Sequence, residues 1–188
     1  MNNGLLGASS LQKLRINFCL YKKELLQALV PALTSPALCP IYELDLAANA
    51  MNDEDAGEIL SKIVILHCES RDETYWKYGL RDELPPYEAV FGIKKLDLSF
   101  NKLGRKTLLG IGTSLKTDRY LLSLNLRSNL ITAEQAKEFL TCLKTNNTLF
   151  NLDLRENEQL LPKFNRSLAL KLLASYSKVG QLTPEVYW

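Results

Sequence analysis

The chain has 188 residues, 46% hydrophobic and 23% charged, with a formal charge of +2. That size and balance exclude a disordered chain and suit a globular protein with a sizeable buried core. No stretch approaches the roughly 18 uninterrupted apolar residues of a membrane span, near-neutral charge argues against nucleic acid or an anionic membrane as a partner, and Cys19, Cys39, Cys68 and Cys142 are too scattered for a zinc site.

The segment from Met1 to Ser10 has neither a basic n-region nor an apolar h-region, so secretion is not expected. With no cysteine-rich caps in view, the expected compartment is reducing and intracellular. Charge is unevenly spread: residues 1–92 carry 8 Lys/Arg against 13 Asp/Glu, and residues 93–188 carry 15 against 8. Such an asymmetry can orient a partner, or simply reflect an uneven solvated surface.

The first predicted element is a strand within Leu11–Cys19, followed by a helix from Lys22 to Leu33 that ends near Pro36. Ile41–Asn49 repeats the strand pattern, and Asn52 or Asp53 caps a helix running through Ile59, Leu60 and Ile63. Ile93–Asn101 comes next, with Gly104 marking the turn into a helix over Thr107–Leu115. Leu121–Asn129 leads into Thr132-Ala-Glu-Gln135, a capping box ahead of Ala136, Phe139, Leu140 and Leu143 at helical spacing. Leu149–Asn157 is the last strand segment, with a helix expected over Ser167–Tyr176.

Four of the strand segments read L/I-x-x-L-x-L-x-x-N, and the first fits with Cys19 in the Asn place. Asn101, Asn129 and Asn157 are 28 residues apart, and Cys19 and Asn49 are 30 apart. Five matches in register define a leucine-rich repeat, and a 28-residue period leaves room for a helix in each unit. The expected fold is therefore α/β: a leucine-rich-repeat solenoid of the ribonuclease-inhibitor-like class. A parallel concave sheet would face convex helices, in a single domain over residues 1–188 with about five repeats. Asn49, Asn101, Asn129 and Asn157 are expected to be structural, pairing backbone groups at the turns. Leu5-Leu6 and Leu182 to Trp188 are candidates for caps or for joins to further sequence.

Asn49 and Asn101 are 52 residues apart, one repeat plus about 24 residues, so 67–92 is an insertion interrupting the series. It contains Trp76, Tyr78 and Tyr87 and lacks the repeat signal, as an interaction loop would. The alternative is that Trp76 and Tyr78 pack back onto the convex helices. On the concave face, Asp45, Asp97, Asn125 and Asp153 recur at one position, beside Arg127 and Arg155. Such a stack serves partner binding or structure more readily than acid–base work. The candidate partner-binding residues are Trp76, Tyr78, Lys95, Asp97, Phe100, Asn125, Arg127, Asp153 and Arg155. Phe18 and Phe100 precede equivalent turn residues and are either exposed anchors or spine packing.

Arg71-Asp-Glu-Thr-Tyr-Trp76, then Leu80-Arg81 and Pro85 ahead of Ile93–Leu98, resembles the interrupted repeat of the centrosomal protein of 78 kDa family. Leu124–Leu126, Ala133–Leu143, Asn146–Leu149 and Leu152–Asn157 are similar in order and spacing, and Tyr187-Trp188 resembles the segment after that family's last repeat. The likeness runs over approximately residues 11–188. It implies a protein of the cytoplasm and cytoskeleton, at the centrosome, the centriole or the basal body of the cilium. It further implies a role in ciliogenesis, with Polo-like kinase 4 and the VprBP subunit of an E3 ubiquitin ligase as partners. The family carries a coiled-coil region after its repeats; no heptads occur here, so the chain is expected to be the repeat domain alone, a monomer in isolation.

No catalytic, cofactor or metal residue is expected. The single histidine, His67, adjoins Cys68 and Glu69, and sequence neighbours rarely present a nucleophile to its base; a solvated or partly packed histidine is the expectation. Gly104, Gly110 and Gly112 lack the residues of a phosphate loop. The alternative functions are a regulator of a small GTPase, by analogy with other ribonuclease-inhibitor-like repeats, and a ciliary microtubule-associated spacer that uses the basic second half.

Overall fold

The protein is described by a computed structural model over residues 8, 10–20, 23–34, 40–86, 89–157 and 185–187. The helix expected at Ser167–Tyr176, the Leu5-Leu6 pair, Leu182, Tyr87 and Trp188 lie outside the described residues.

Each L-x-L step requires a strand with one face buried. The strands are β1 (Lys13–Arg15), β2 (Glu43–Asp45), β3 (Lys95–Asp97), β4 (Ser123–Asn125), β5 (Asn151–Asp153) and β6 (Glu185–Tyr187). They form one six-stranded parallel sheet in chain order. Register follows the repeat: Leu14, Leu44, Leu96, Leu124 and Leu152 pair across neighbouring strands, and β6 continues the row with Val186. The sixth strand is not among the expected elements, because Glu185–Tyr187 has neither the second leucine nor a turn asparagine. The ladder continues past each short strand, through the N–H groups of Ile16, Leu46, Leu98 and Leu126 to the carbonyls of the next unit.

Connections between parallel strands must cross over, and from β1 to β5 helices do so: α1 (Lys23–Leu33), α2 (Asp53–Gly79), α3 (Arg105–Leu115) and α4 (Ala133–Cys142). Between sheet and helices lies one continuous core. Leu44, Leu46, Leu96, Leu98, Leu124, Leu126, Leu152 and Leu154 enter it from the strands, and Leu29, Leu60, Leu108, Ile111, Ala136 and Phe139 from the helices.

Helix starts follow local chemistry. Thr132 Oγ1 accepts from the Gln135 N–H at 3.3 Å while Gln135 Oε1 accepts from the Thr132 N–H at 3.2 Å, a complete capping box for α4. The Asp53 carboxylate reaches across to the next unit and accepts from the N–H groups of Gly104, Lys106 and Thr107 at 2.9, 2.7 and 2.8 Å. It thus caps α3, a role sequence order alone does not suggest. The helices α2 and α3 approach so closely that a Cβ on Gly57 would lie 2.9 Å from the Thr107 backbone nitrogen.

The interrupted repeat differs from expectation. Rather than a long loop over 67–92, α2 runs on to Gly79, for 27 residues against 11, 11 and 10 in the other three helices. No Gly or Pro interrupts it between Gly57 and Gly79, and its inner face repeats at helical spacing through Leu60, Ile63, Val64, His67, Cys68 and Arg71, all buried. The first half of the insertion, 67–79, is helix. The chain then returns to β3 through 80–92.

Candidate protein-interaction surface

The turn after each strand is built by its asparagine. Asn101 Nδ2 donates to the carbonyls of Leu98, Ser99 and Leu46 at 3.0, 3.1 and 3.1 Å, and Oδ1 accepts from the N–H groups of Asn49 and Met51. The Nδ2 groups of Asn49, Asn129 and Asn157 make the equivalent donor set, each reaching one carbonyl of the preceding unit. The residue before the turn residue has positive φ in five successive units: Phe18, Ala48, Phe100, Ser128 and Glu156, at 51–58°. None is glycine or asparagine. A left-handed conformation costs an ordinary residue about 1–2 kcal/mol; the asparagine bonds on either side of the turn hold it.

On the open face of the sheet, the repeated acidic position is committed to backbone. Asp45, Asp97, Asn125 and Asp153 each accept through Oδ1 from the N–H two residues on, at 2.9–3.0 Å. Their second atoms link neighbours: Asn125 Nδ2 donates to Asp97 at 2.9 Å and Asn17 Nδ2 to Asp45 at 3.2 Å. Arg155 pairs with Asp153 at 2.6–3.1 Å, and Asp153 is buried. These carboxylates therefore shape turns, and the residues that stand beside them make the solvent-facing surface.

That surface is a shallow depression of about 280 Å³ that includes Lys95, Asp97, Asn125, Asp153 and Arg155 in its lining. Lys95 is exposed, and Asp97, Asn125 and Arg155 are half-buried. Arg127 and Phe100 stand at the turn edge, with the Arg127 guanidinium 5.6 Å from the ring centroid of Phe100 and its Nη2 paired with Glu156. Phe100 is 50% exposed and Phe18 79%, so both project to solvent rather than packing into the spine. At the β1 edge, Lys13 and Arg15 both pair with Glu43, at 3.2 and 2.9 Å; the Arg15 hydrogen bond, opposed by burial and aided by Lys13, holds the Glu43 carboxyl below its usual range.

The other two sequence candidates lie away from this depression, on the far end of α2. Trp76 is 64% exposed and Tyr78 is half-buried, so the two do not act as one aromatic pair. This end of α2 is bolted to the body by Arg71 and Tyr120. Arg71 is fully buried, its Nε donates to the Phe91 carbonyl at 2.7 Å, its guanidinium lies 4.8 Å from the Tyr120 ring centroid, and it leaves no room for a Cβ at Gly92. The Tyr120 hydroxyl donates to Asp72 at 2.7 Å, and its ring stacks on Tyr75. Burial, and then the Asp72 acceptor, keep that phenol well above its ordinary pKa.

His67 is not solvated. In the fourth and fifth units a polar side chain receives the N–H that opens the strand: Asp118 from Leu121 at 2.7 Å, and Asn146 from Leu149 at 2.9 Å. Asn146 also donates to the Leu115 carbonyl, the end of α3. In the third unit the histidine takes that place from within α2. Its Nδ1 accepts from the Ile93 N–H at 3.0 Å, which puts the proton on Nε2 to donate to the Leu33 carbonyl at the end of α1. Burial, against the opposing Leu33 hydrogen bond and with a smaller push from Arg71, lowers its pKa to about 4. Both ring nitrogens are engaged with backbone, so His67 has no lone pair to activate Cys68, whose thiol is itself pushed up to about 11, chiefly by burial. The lone histidine gives no sequence signal for this role, because the equivalent residues elsewhere sit in turns.

Among the described residues, no three His, Cys, Asp or Glu side chains are grouped as a metal site, and no helix is long and apolar enough to cross a membrane.

No protein-family model matches the chain. Among curated proteins it is homologous to the centrosomal protein of 78 kDa, with 30% identity to the mouse and human proteins over 115 residues, 61% of this chain. The Xenopus tropicalis protein is 32% identical over 99 residues. The match spans only 15% of the mouse protein and 17% of the human one. It is also shorter than the 11–188 likeness read from the sequence. Among solved structures, leiomodin-1 actin-binding site 2 superposes with a TM-score of 0.65 at 16% identity, covering 94% of this chain and 88% of that one. The tropomodulin C-terminal domain of Caenorhabditis elegans gives 0.64 at 14% identity, covering 95% and 92%. The shared property is the fold.

Proposed function

We propose that the chain is a leucine-rich-repeat solenoid forming one domain, and that it acts as a non-enzymatic protein-interaction module at the centrosome. The observation that carries the reading is the open sheet face. Its acidic row is used up in turn geometry, while Lys95, Phe100, Arg127 and Arg155 stand at its surface. Phe100 is held out on a backbone conformation that costs energy, and a solvent-exposed aromatic in that position gains nothing for the core. Homology to the centrosomal protein of 78 kDa supports the location. A place at the centriole or at the basal body of a cilium, and Polo-like kinase 4 and VprBP as partners, extend the same reading. Those two proteins are the first to test.

Purified wild-type chain and the Arg127→Glu/Arg155→Glu variant, immobilised in equal amount, are to be offered Polo-like kinase 4 and VprBP separately. Binding by the wild type and its loss in a folded variant is the expected result. Equal binding by both would remove the sheet face from the proposal. In cells, a tagged wild-type chain is expected to colocalise with a centriolar marker.

A further inference from the structure

We infer that the outer face of the projecting half of α2 is a second docking surface, one that takes a basic amphipathic helix of a partner protein. It rests on the reading of the chain as an interaction module but not on the sheet face.

At 1.5 Å per residue, α2 is about 40 Å long and its neighbour α3 about 16 Å, so the last turns of α2 extend past the helix layer. In that half the inner face is occupied: His67 joins Leu33 and Ile93, Arg71 is covered by Tyr120, and Tyr75 stacks on Tyr120. The opposite face has no cover among the described residues. Ile65, Trp76 and Leu80 lie there within one helical stripe, 38%, 64% and 68% exposed. Glu69, Asp72 and Glu73 fall in the same stripe between them, all exposed. Asp72 also accepts from the Tyr120 hydroxyl, so that acid is held in place.

Exposed apolar groups flanked by acids specify the chemistry of the partner that covers them. Over 69–84 the exposed charged residues are Glu69, Asp72, Glu73, Asp82 and Glu83 against Lys77 and Arg81; the chain as a whole is positive. The excess of acids, with Glu73 already paired to Lys77 at 2.7 Å, disfavours a second copy of this stripe. A strand has no edge to join on a helix. The complement is a helix with aliphatic residues at i, i+4 and i+7 to enclose Trp76, and Lys or Arg on both flanks to meet the acids. Trp76 is the anchor, the residue type that most often dominates such contacts.

The test uses the full chain and a synthetic 18-residue helical peptide with leucines at i, i+4, i+7 and i+11 and lysines elsewhere, compared with a scrambled peptide of the same composition. Binding is read by fluorescence anisotropy of labelled peptide. The amphipathic peptide is expected to bind the wild type, Trp76→Ala to weaken it at least about tenfold, and Glu69→Lys/Glu73→Lys to weaken it similarly with a reduced dependence on salt. Because these positions are exposed, unchanged circular dichroism is expected, and Leu80→Ala provides a second, milder probe. Arg127→Glu/Arg155→Glu is expected to bind the peptide as the wild type does. Equal binding of the scrambled peptide, or wild-type affinity in Trp76→Ala, overturns the inference and leaves the sheet-face proposal standing. Loss of peptide binding in the arginine variant alone would move the site to the sheet.

Discussion

A single histidine shows how much one side chain can carry when it substitutes for a motif. His67 joins the end of α1 to the start of β3, a link that Asn146 makes between α3 and β5. Only the neutral ring can both accept and donate. Its folded pKa of about 4 lies below the unfolded value near 6.5, so between these values the unfolded state binds more protons. The contribution of His67 to stability therefore rises with pH from about 4 to 6.5 and is flat above, by roughly 3 kcal/mol. Urea titrations at pH 5 and pH 7.5 are expected to show this slope in the wild type and to lose most of it in His67→Gln. A slope unchanged by the substitution would place the proton uptake elsewhere. Phe100 makes the complementary case. Glycine adopts its φ of 56° without penalty, and half the ring is in solvent. Phe100→Gly is thus expected to keep the melting temperature within a few degrees while weakening partner binding. A large loss of stability would show that the ring is structural.

At the scale of elements, helix starts are where local chemistry is most legible. The Thr132–Gln135 box is readable from four residues, because both partners of the bonds are within one turn. Thr132→Ala is expected to cost about 1 kcal/mol, measured as a shift in urea midpoint at constant m-value. The Asp53 cap is not readable in the same way, since its donors belong to a helix start 51–54 residues away. Burial opposes ionisation there, but the donors at Thr107, Lys106 and Gly104 outweigh it and hold the carboxyl below its usual range. The longest helix illustrates the other limit. Loss of the repeat pattern over 67–92 reads as a loop, whereas the missing signal is only that of the repeat. The i, i+3, i+4 spacing of Val64, His67 and Cys68, with Arg71 one turn on, continues the helix with polar residues on its inner face.

Over the described residues, neighbouring units are held together by sheet bonds and the asparagine row, and the first four also by helix contacts. In such an array stability is carried by interfaces between neighbours as much as by the units themselves. Asn101 bonds to both its own unit and the one before, through five hydrogen bonds. Asn101→Ala leaves buried donors and acceptors unpaired, and a loss of about 3 kcal/mol or more is expected. Because the damage lies at one interface, urea unfolding followed by hydrogen exchange is expected to show early loss of protection in β1 and β2, with β4 and β5 retained longer. Uniform loss across the sheet would argue for a single indivisible unit.

Sequence alone determined the parallel order of the first five strands, their leucine register and the place of the turn asparagines. These follow from a period of 28 residues and from short-range rules of side-chain alternation and backbone pairing, which act within a few residues. Only tertiary structure decided what the irregular parts do: that 67–79 is helix, that His67 replaces a turn residue, that Asp53 caps a neighbour, and that Trp76 and Tyr78 face different ways. Each of those outcomes depends on a partner tens of residues distant, and the free energy that selects it comes from burial and hydrogen bonding between units once they are stacked.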